Sequence, residues 1–124
     1  MGNGVVDIDD KFSRFVEQWS PKVVARLNDY EVKLVKMEGE FVWHAHDETD
    51  ELFLVLDGEL TIELRDENVR LKRGQMYVVP RGVEHRPVAD GEVRAMLIEP
   101  TGVVNTGQAG GALTAVYDDS LEQG

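Results

Sequence analysis

Near the start of the chain, apolar residues recur at the i, i+3, i+4, i+7 spacing of an amphipathic helix: Phe12, Phe15, Val16 and Trp19. Asp9 or Asp10 is a suitable N-cap for this segment, since a short acidic side chain accepts hydrogen bonds from the first free N–H groups. Pro21 ends it, because proline cannot continue a helix. The pattern therefore predicts one short helix over residues 10–19.

After Pro21 the pattern changes to short apolar runs separated by turn residues. The strongest turn is Asp57-Gly58, a two-residue hairpin signal. The runs predict strands at residues 23–27, 31–38, 41–46, 51–56, 60–65, 69–72, 76–79, 85–89 and 92–99. This many short strands with closely spaced turns is typical of an all-β sandwich or barrel.

In two of these strands, residues 51–56 and 76–79, both faces carry apolar side chains. A solvated face would alternate with polar residues, so both strands are predicted to be covered on both sides. If His44 and His46 face inward, strand alternation predicts an outward set: Phe41, Trp43, Ala45, Leu52, Leu54, Leu56, Tyr77 and Val79. Such a patch is larger than a soluble monomer usually exposes, so a homodimer is predicted in addition to cover by the helix.

Composition limits the kinds of protein that are possible. The chain has 124 residues and 13.9 kDa, which is one domain, and its net charge of −11 repels phosphate backbones and anionic lipid. No role with nucleic acid or at a membrane is expected. Cysteine is absent, which excludes disulfides and thiolate metal ligands. Neither a signal peptide nor a membrane span is recognised, so a cytoplasmic location is predicted.

The three histidines carry the candidate chemistry. His44 and His46 are two residues apart, so on a strand they share a face about 6.6 Å apart. Glu51 starts the next predicted strand, and His85 lies beyond the Pro-Arg-Gly turn at residues 80–82. Three neutral imidazoles and a carboxylate suit one divalent first-row ion: iron, manganese, cobalt, nickel, copper or zinc.

Each of these assignments has a plainer alternative. Strand histidines are more often surface or hydrogen-bonded core residues than ligands. Asp50 competes with Glu51 as the carboxylate, and Glu51 is preferred because it shares strand register with Phe53 and Val55.

Other polar residues near the turns are weaker candidates. Glu84, next to His85, is a possible general acid or base, and Arg81 a possible anion contact, although both are more often ordinary surface charges. Five apolar residues are candidate pocket walls or simply barrel core: Met37, Phe53, Val55, Met76 and Val78.

Two motifs resemble those of the cupin family. The pattern G-x4-H-x-H-x4-E-x6-G over residues 39–58 resembles the first cupin motif, and G-x5-P-x-G-x2-H over residues 74–85 resembles the second. There are two departures: four residues rather than five separate Gly39 from His44, and Ala89 stands where the second motif usually has Asn. Neither position is a ligand position.

The resemblance implies a small single-domain cupin with a double-stranded β-helix, the cupin jelly-roll barrel, and one short N-terminal helix. Residues 1–21 would form the N-terminal arm and helix, residues 22–99 the barrel and residues 100–124 a C-terminal extension. The sequence of residues 50–53 and 99–107 resembles that of the bacterial cupins labelled mannose-6-phosphate-isomerase-like.

The resemblance also implies that one divalent metal is held by His44, His46, Glu51 and His85. The function expected from it is a metalloenzyme acting on a small organic molecule, of the dioxygenase, isomerase, decarboxylase or lyase type. The alternative is a non-catalytic metal-dependent binder or sensor. A sensor would need a partner protein, since the chain carries no reader domain of its own.

Overall fold

The computed structural model describes residues 4–107, 109–115 and 120–122. Within these residues the chain forms one short helix and seven strands. Their bounds are α1 Ile8–Phe12, β1 Lys22–Leu27, β2 Tyr30–Glu40, β3 Glu51–Asp57, β4 Glu59–Leu64, β5 Asn68–Lys72, β6 Met76–Val79 and β7 His85–Pro100.

All strand pairs are antiparallel, and the long strand β7 organises them. One set of strands runs in the order β1-β2-β7-β3-β6, while β4 pairs with both β5 and the first part of β7. Because β7 pairs with β2, β3 and β4, it joins the two parts of the sheet and closes them around one interior. The predicted all-β cupin jelly-roll barrel with one short helix is confirmed.

Two predicted strands differ from the prediction for local reasons. Residues 85–89 and 92–99 form the single strand β7, because residues 90–92 bulge opposite β2 instead of turning the chain back. Residues 41–46 form no regular strand, and only His44 makes a bridge, to His85.

The helix is shorter than predicted and starts earlier. Its N-cap is Asp7, whose side chain accepts a hydrogen bond from the Asp10 N–H at 3.1 Å. Beyond it, Phe15 and Trp19 are buried without helical backbone, and Trp19 adopts a positive φ of 61°. Val16, predicted on the same apolar face, is exposed. No helix in the described part of the chain has the length and apolar character needed to cross a membrane.

The buried apolar side chains form two separate clusters, one beneath the helix and one inside the barrel. Phe12 and Phe15 pack with Val24 and Leu34 on the outer face of the sheet, whereas Trp19 joins the barrel interior. One periodic run of apolar residues in the sequence therefore serves two different clusters.

Strand β6 faces the opposite way from the prediction. Val79 is buried in the barrel and Tyr77 packs against its core, whereas Met76 and Val78 are exposed. The cause is the pairing with β3, which places Tyr77 opposite the inward Phe53. Directly opposed residues in an antiparallel pair point to the same face.

Candidate metal centre

Four buried side chains converge inside the barrel: His44, His46, Glu51 and His85. The loop carrying His44 is tied to the start of β7 by two backbone hydrogen bonds between His44 and His85, of 3.0 and 2.9 Å. Glu51 is the first residue of β3. One ligand atom from each of the four lies within 4.8 Å of those from the others.

Backbone carbonyls orient two of the imidazoles. The Nδ1 atom of His44 lies 2.9 Å from the Val42 carbonyl oxygen, and that of His85 lies 3.0 Å from the Val83 carbonyl oxygen. Each Nδ1–H donates to its carbonyl, a tautomer assigned from these contacts, so Nε2 is the ring nitrogen available to a metal ion. This arrangement is the usual way in which a protein prepares a histidine to ligate a metal.

Glu51 lies between the other two imidazoles. Its Oε1 atom is 3.1 Å from His85 Nε2 and 3.3 Å from His46 Nε2. The contact to His46 lacks hydrogen-bond geometry, so His46 Nε2 is a buried nitrogen without a hydrogen-bond partner. A buried polar atom of this kind indicates a missing ligand, and an N₃O donor set fits a divalent transition-metal ion.

Electrostatics within the cluster favour a cation. Burial alone would raise the pKa of Glu51, but its contacts with His46 and His85 outweigh burial and lower this pKa below its usual range. Burial likewise opposes a charge on His46, yet the contact with Glu51 raises its pKa. Burial and repulsion from His85 lower the pKa of His44 to about 4. The site thus stabilises one positive charge beside Glu51, where a proton and a metal ion would compete.

A small apolar cavity adjoins this cluster. Its volume is about 20 Å³, which is room for roughly one water molecule. Its walls come from Trp19, Pro21, Val35, Met37, Phe41, His44, Glu51, Phe53, Pro87, Leu97 and Asn105. The exclusion of water strengthens electrostatic interactions inside the site.

Phe41, Trp19 and Asn105 are among the wall residues that the sequence did not assign to the site. Phe41, predicted to face outward, is buried and stacks on Trp19 with ring centroids 4.8 Å apart. Strand alternation does not apply to it, because residues 41–46 are not a regular strand. Trp19 and Asn105 come from segments outside the barrel. Asn105 lies within residues 99–107, whose resemblance to a cupin subgroup was noted but was given no role at the site.

The segment after β7 closes one side of the site. The Asn105 side-chain amide donates to the backbone carbonyls of Trp19 and Leu113, at 2.9 and 2.8 Å. Gly107 packs directly on residues 45–46, where a Cβ atom would lie 2.2 Å from the Ala45 carbonyl oxygen. The described part of the C-terminal extension is therefore part of the site's enclosure.

The remaining candidates lie away from the four ligands. Asp50 accepts hydrogen bonds from the backbone N–H and Nε of Arg81, at 2.9 and 3.2 Å, so both side chains are engaged at the surface. Glu84 is exposed and pairs with Arg65 at 3.3 Å.

Of the five predicted pocket walls, Met37 and Phe53 line the cavity and Val55 is buried in the barrel core. Met76 and Val78 were wrongly assigned, because the pairing of β6 with β3 turns them outward.

The topology and the buried group of three histidines and a glutamate define the chain as a small antiparallel β-barrel protein whose interior carries a group that could hold a metal ion. The chain matches the Cupin_2 family, described as the Cupin domain, over residues 30–100. It therefore belongs to the cupin family. The narrower mannose-6-phosphate-isomerase-like assignment stays a prediction.

Several known proteins are similar to the chain. A cupin-2 domain containing protein from Shewanella frigidimarina NCIMB 400 has 56% identity and a TM-score of 0.77, with 78% of this chain and 95% of that chain covered. The uncharacterized protein YdbB of Bacillus subtilis (strain 168) is 42% identical over 64 residues. That match covers 51% of this chain and 57% of YdbB, little more than half of either.

A more distant similarity shows the fold alone. Hydroquinone 1,2-dioxygenase PnpCD, solved with Cd²⁺ and 4-hydroxybenzonitrile, is 21% identical with a TM-score of 0.62, and 74% of this chain and 70% of that chain are covered.

Proposed function

We propose that the chain binds one divalent transition-metal ion through His44, His46, Glu51 and His85. The observation that carries the proposal is the convergence of four buried ligand atoms within 4.8 Å, one of them a buried nitrogen without a hydrogen-bond partner. When bound, such an ion supplies a Lewis acid or a redox centre that activates a carbonyl, water or dioxygen.

We further propose that the site belongs to an enzyme acting on a small organic molecule. The residues around it have two roles: the Val42 and Val83 carbonyls hold imidazoles in the ligating tautomer, and the apolar walls exclude water. Four protein ligands leave positions free on a six-coordinate ion. A hydroquinone dioxygenase with the same fold supports this type of reaction by analogy only.

Metal analysis of the purified protein tests the metal assignment. We expect close to one divalent ion per chain in the wild type and none after His44→Ala/His46→Ala. A matched pair tests the choice of carboxylate: Glu51→Gln should weaken retention, while Asp50→Asn should not, because Asp50 pairs with Arg81 at the surface. Unchanged metal content in the double histidine variant would contradict the assignment.

Oxygen uptake distinguishes an enzyme from a binder or sensor. The protein would be loaded with Fe²⁺ without oxygen, then exposed to oxygen with and without small phenols such as hydroquinone. Uptake that depends on both the phenol and the four ligands supports a dioxygenase. Binding of the phenol without uptake favours the non-catalytic alternative for this class of compound.

We also propose a homodimer that pairs the outer faces of two sheets. The helix covers one end of this face, around Leu34. The other end presents apolar side chains on adjacent strands: Tyr30, Leu52, Met76, Val78, Ile98 and Pro100. Large exposed apolar residues next to one another indicate a protein interface, and two-fold pairing is its commonest form.

The division into residues 1–21, 22–99 and 100–124 is retained as a proposal, with the last segment contributing to the site. The cytoplasmic location also stays a prediction.

A further inference from the structure

A group of charged residues is buried inside the barrel although none of them is a proposed metal ligand. Glu31 and Lys33 on β2 are 0% and 2% exposed, and Glu99 on β7 is 1% exposed. Strands β2 and β7 pair here, with Glu31 directly opposite Glu99. Burying several charges costs several kcal/mol per ion unless they are paired, so such a group needs a physical reason.

These charges form a chain of contacts that reaches the surface. Lys33 Nζ lies 3.2 Å from Glu99 Oε1 and 3.7 Å from Glu31 Oε1, and it also donates to the Val103 carbonyl at 3.4 Å. Glu31 pairs in turn with the partly exposed Arg26 at 2.7 Å. Lys33 thus holds Glu99 by one oxygen, while the other oxygen, Oε2, has no hydrogen-bond partner.

Glu99 lies across the β3–β7 pair from Glu51, because Leu52 is paired with Ile98 and the two glutamates are the next residues along these antiparallel strands. Its negative charge favours a positive charge on His46, and burial together with the charge of Glu51 raises the pKa of Glu99 to about 7. The carboxylates of Glu51 and Glu99 therefore repel each other in the barrel interior, and Lys33, 3.2 Å from Glu99 and 3.7 Å from Glu31, is shared between Glu99 and Glu31. A divalent cation at the cluster relieves this repulsion.

We propose that Glu99 is a positioning residue for the metal: held by Lys33, its carboxylate stabilises the bound cation from outside the ligand set. This inference rests on the proposed function, since it requires that the four ligands bind a cation. It assigns a role to charges that the ligand set alone does not use. Groups that act behind metal ligands typically change affinity by about 10- to 100-fold.

The test compares Zn²⁺ and Mn²⁺ affinity of wild type and Glu99→Gln by chelator competition at pH 8, where Glu99 is ionised. We expect Glu99→Gln to bind both ions about 10-fold or more weakly. Glu59→Gln, which removes an equal charge from an exposed site on β4, should change affinity by less than about 2-fold, because exposed charges are screened.

Two further measurements separate this role from a merely structural one. The metal-free Glu99→Gln protein should be less stable to urea than the wild type at pH 8, because buried Lys33 is left with Glu31 as its nearest charged partner; this measurement gives the structural cost of the change. Lys33→Met should bind metal at least as tightly as the wild type, because it removes a positive charge that opposes a cation at the cluster. Lys33→Met tests the proposal even if Glu99→Gln does not fold, because weaker metal binding in Lys33→Met would contradict it.

The outcomes distinguish the two proposals. A wild type that binds neither ion overturns the proposed function and this inference with it. A wild type that binds both ions, with Glu99→Gln equal to Glu59→Gln, overturns this inference alone. Weaker binding in both Glu99→Gln and Lys33→Met also overturns it, since that result indicates lost packing and not charge.

Discussion

Gly107 should not tolerate even a methyl side chain, and Gly110 provides a matched control. Both glycines have positive φ, +57° and +66°. At Gly107 a Cβ atom would lie 2.2 Å from the Ala45 carbonyl oxygen and 3.4 Å from His46 Nδ1, whereas at Gly110 it meets nothing within 4 Å. The pair therefore separates backbone strain from close packing on the site.

The magnitudes follow from these two terms. An alanine at positive φ costs roughly 1–2 kcal/mol of folding free energy, and this cost is common to both positions. At Gly107 the atom in the way is backbone, which cannot rotate aside, so overpacking adds roughly 1–3 kcal/mol or the segment lifts off residues 45–46. Gly107→Ala should therefore be roughly 1–3 kcal/mol less stable than Gly110→Ala.

Urea unfolding of the two variants measures this difference, and metal competition measures its effect on the site. We expect weaker metal binding only in Gly107→Ala, because the displaced segment contacts the His46 ring. Equal stability and equal metal affinity of the two variants would refute the packing of this segment over the site.

Two other predictions concern acid and assembly. Metal affinity should fall as the pH drops, because protons compete with the metal for the imidazoles. His46, whose pKa is raised, protonates before His44, whose pKa is about 4. The carboxyl of Glu51, whose pKa is lowered, protonates last. Metal analysis after dialysis should show release below about pH 6.5, complete near about pH 3, and full retention at the lower value would contradict the ligand set. For the dimer, sedimentation equilibrium should give roughly twice 13.9 kDa for wild type and Val16→Asp, and 13.9 kDa for Val78→Asp. A monomeric wild type at micromolar concentration would show that the outer face needs no partner.

The parts of the fold that depend on local pattern could be predicted from the sequence. Turn residues such as Asp57-Gly58 located the break between β3 and β4, since a turn is encoded by its own residues. The hairpin predicted there was wrong, because β3 pairs with β6 and β7, whereas β4 pairs with β5 and β7. Which face of β6 points inward could not be predicted, because Met76/Val78 and Tyr77/Val79 are equally apolar. Only the pairing of Tyr77 with Phe53 decides it, and register is a property of two strands.

The same distinction applies to the site. His44, His46, Glu51 and His85 lie in short motifs and were identified as a group, and the structure brings them together. The enclosure depends on Asn105, which comes from beyond the barrel and whose place is set by contacts with other segments. No periodicity marks such a residue, so its role is visible only in three dimensions.

The buried charges show where period-2 patterning fails for a physical reason. Along β2, alternation groups Glu31 and Lys33 with Val35 and Met37 on one face, a mixture that pattern alone does not assign to the inside or the outside. The structure turns this face inward and pairs Lys33 with Glu99. A barrel selected for stability alone would favour apolar residues there, because replacing buried ion pairs by well-packed apolar side chains is often stabilising. Departures from the rules of local patterning are expected where a protein carries out its function, and here the departure lies in the same interior as the four candidate ligands.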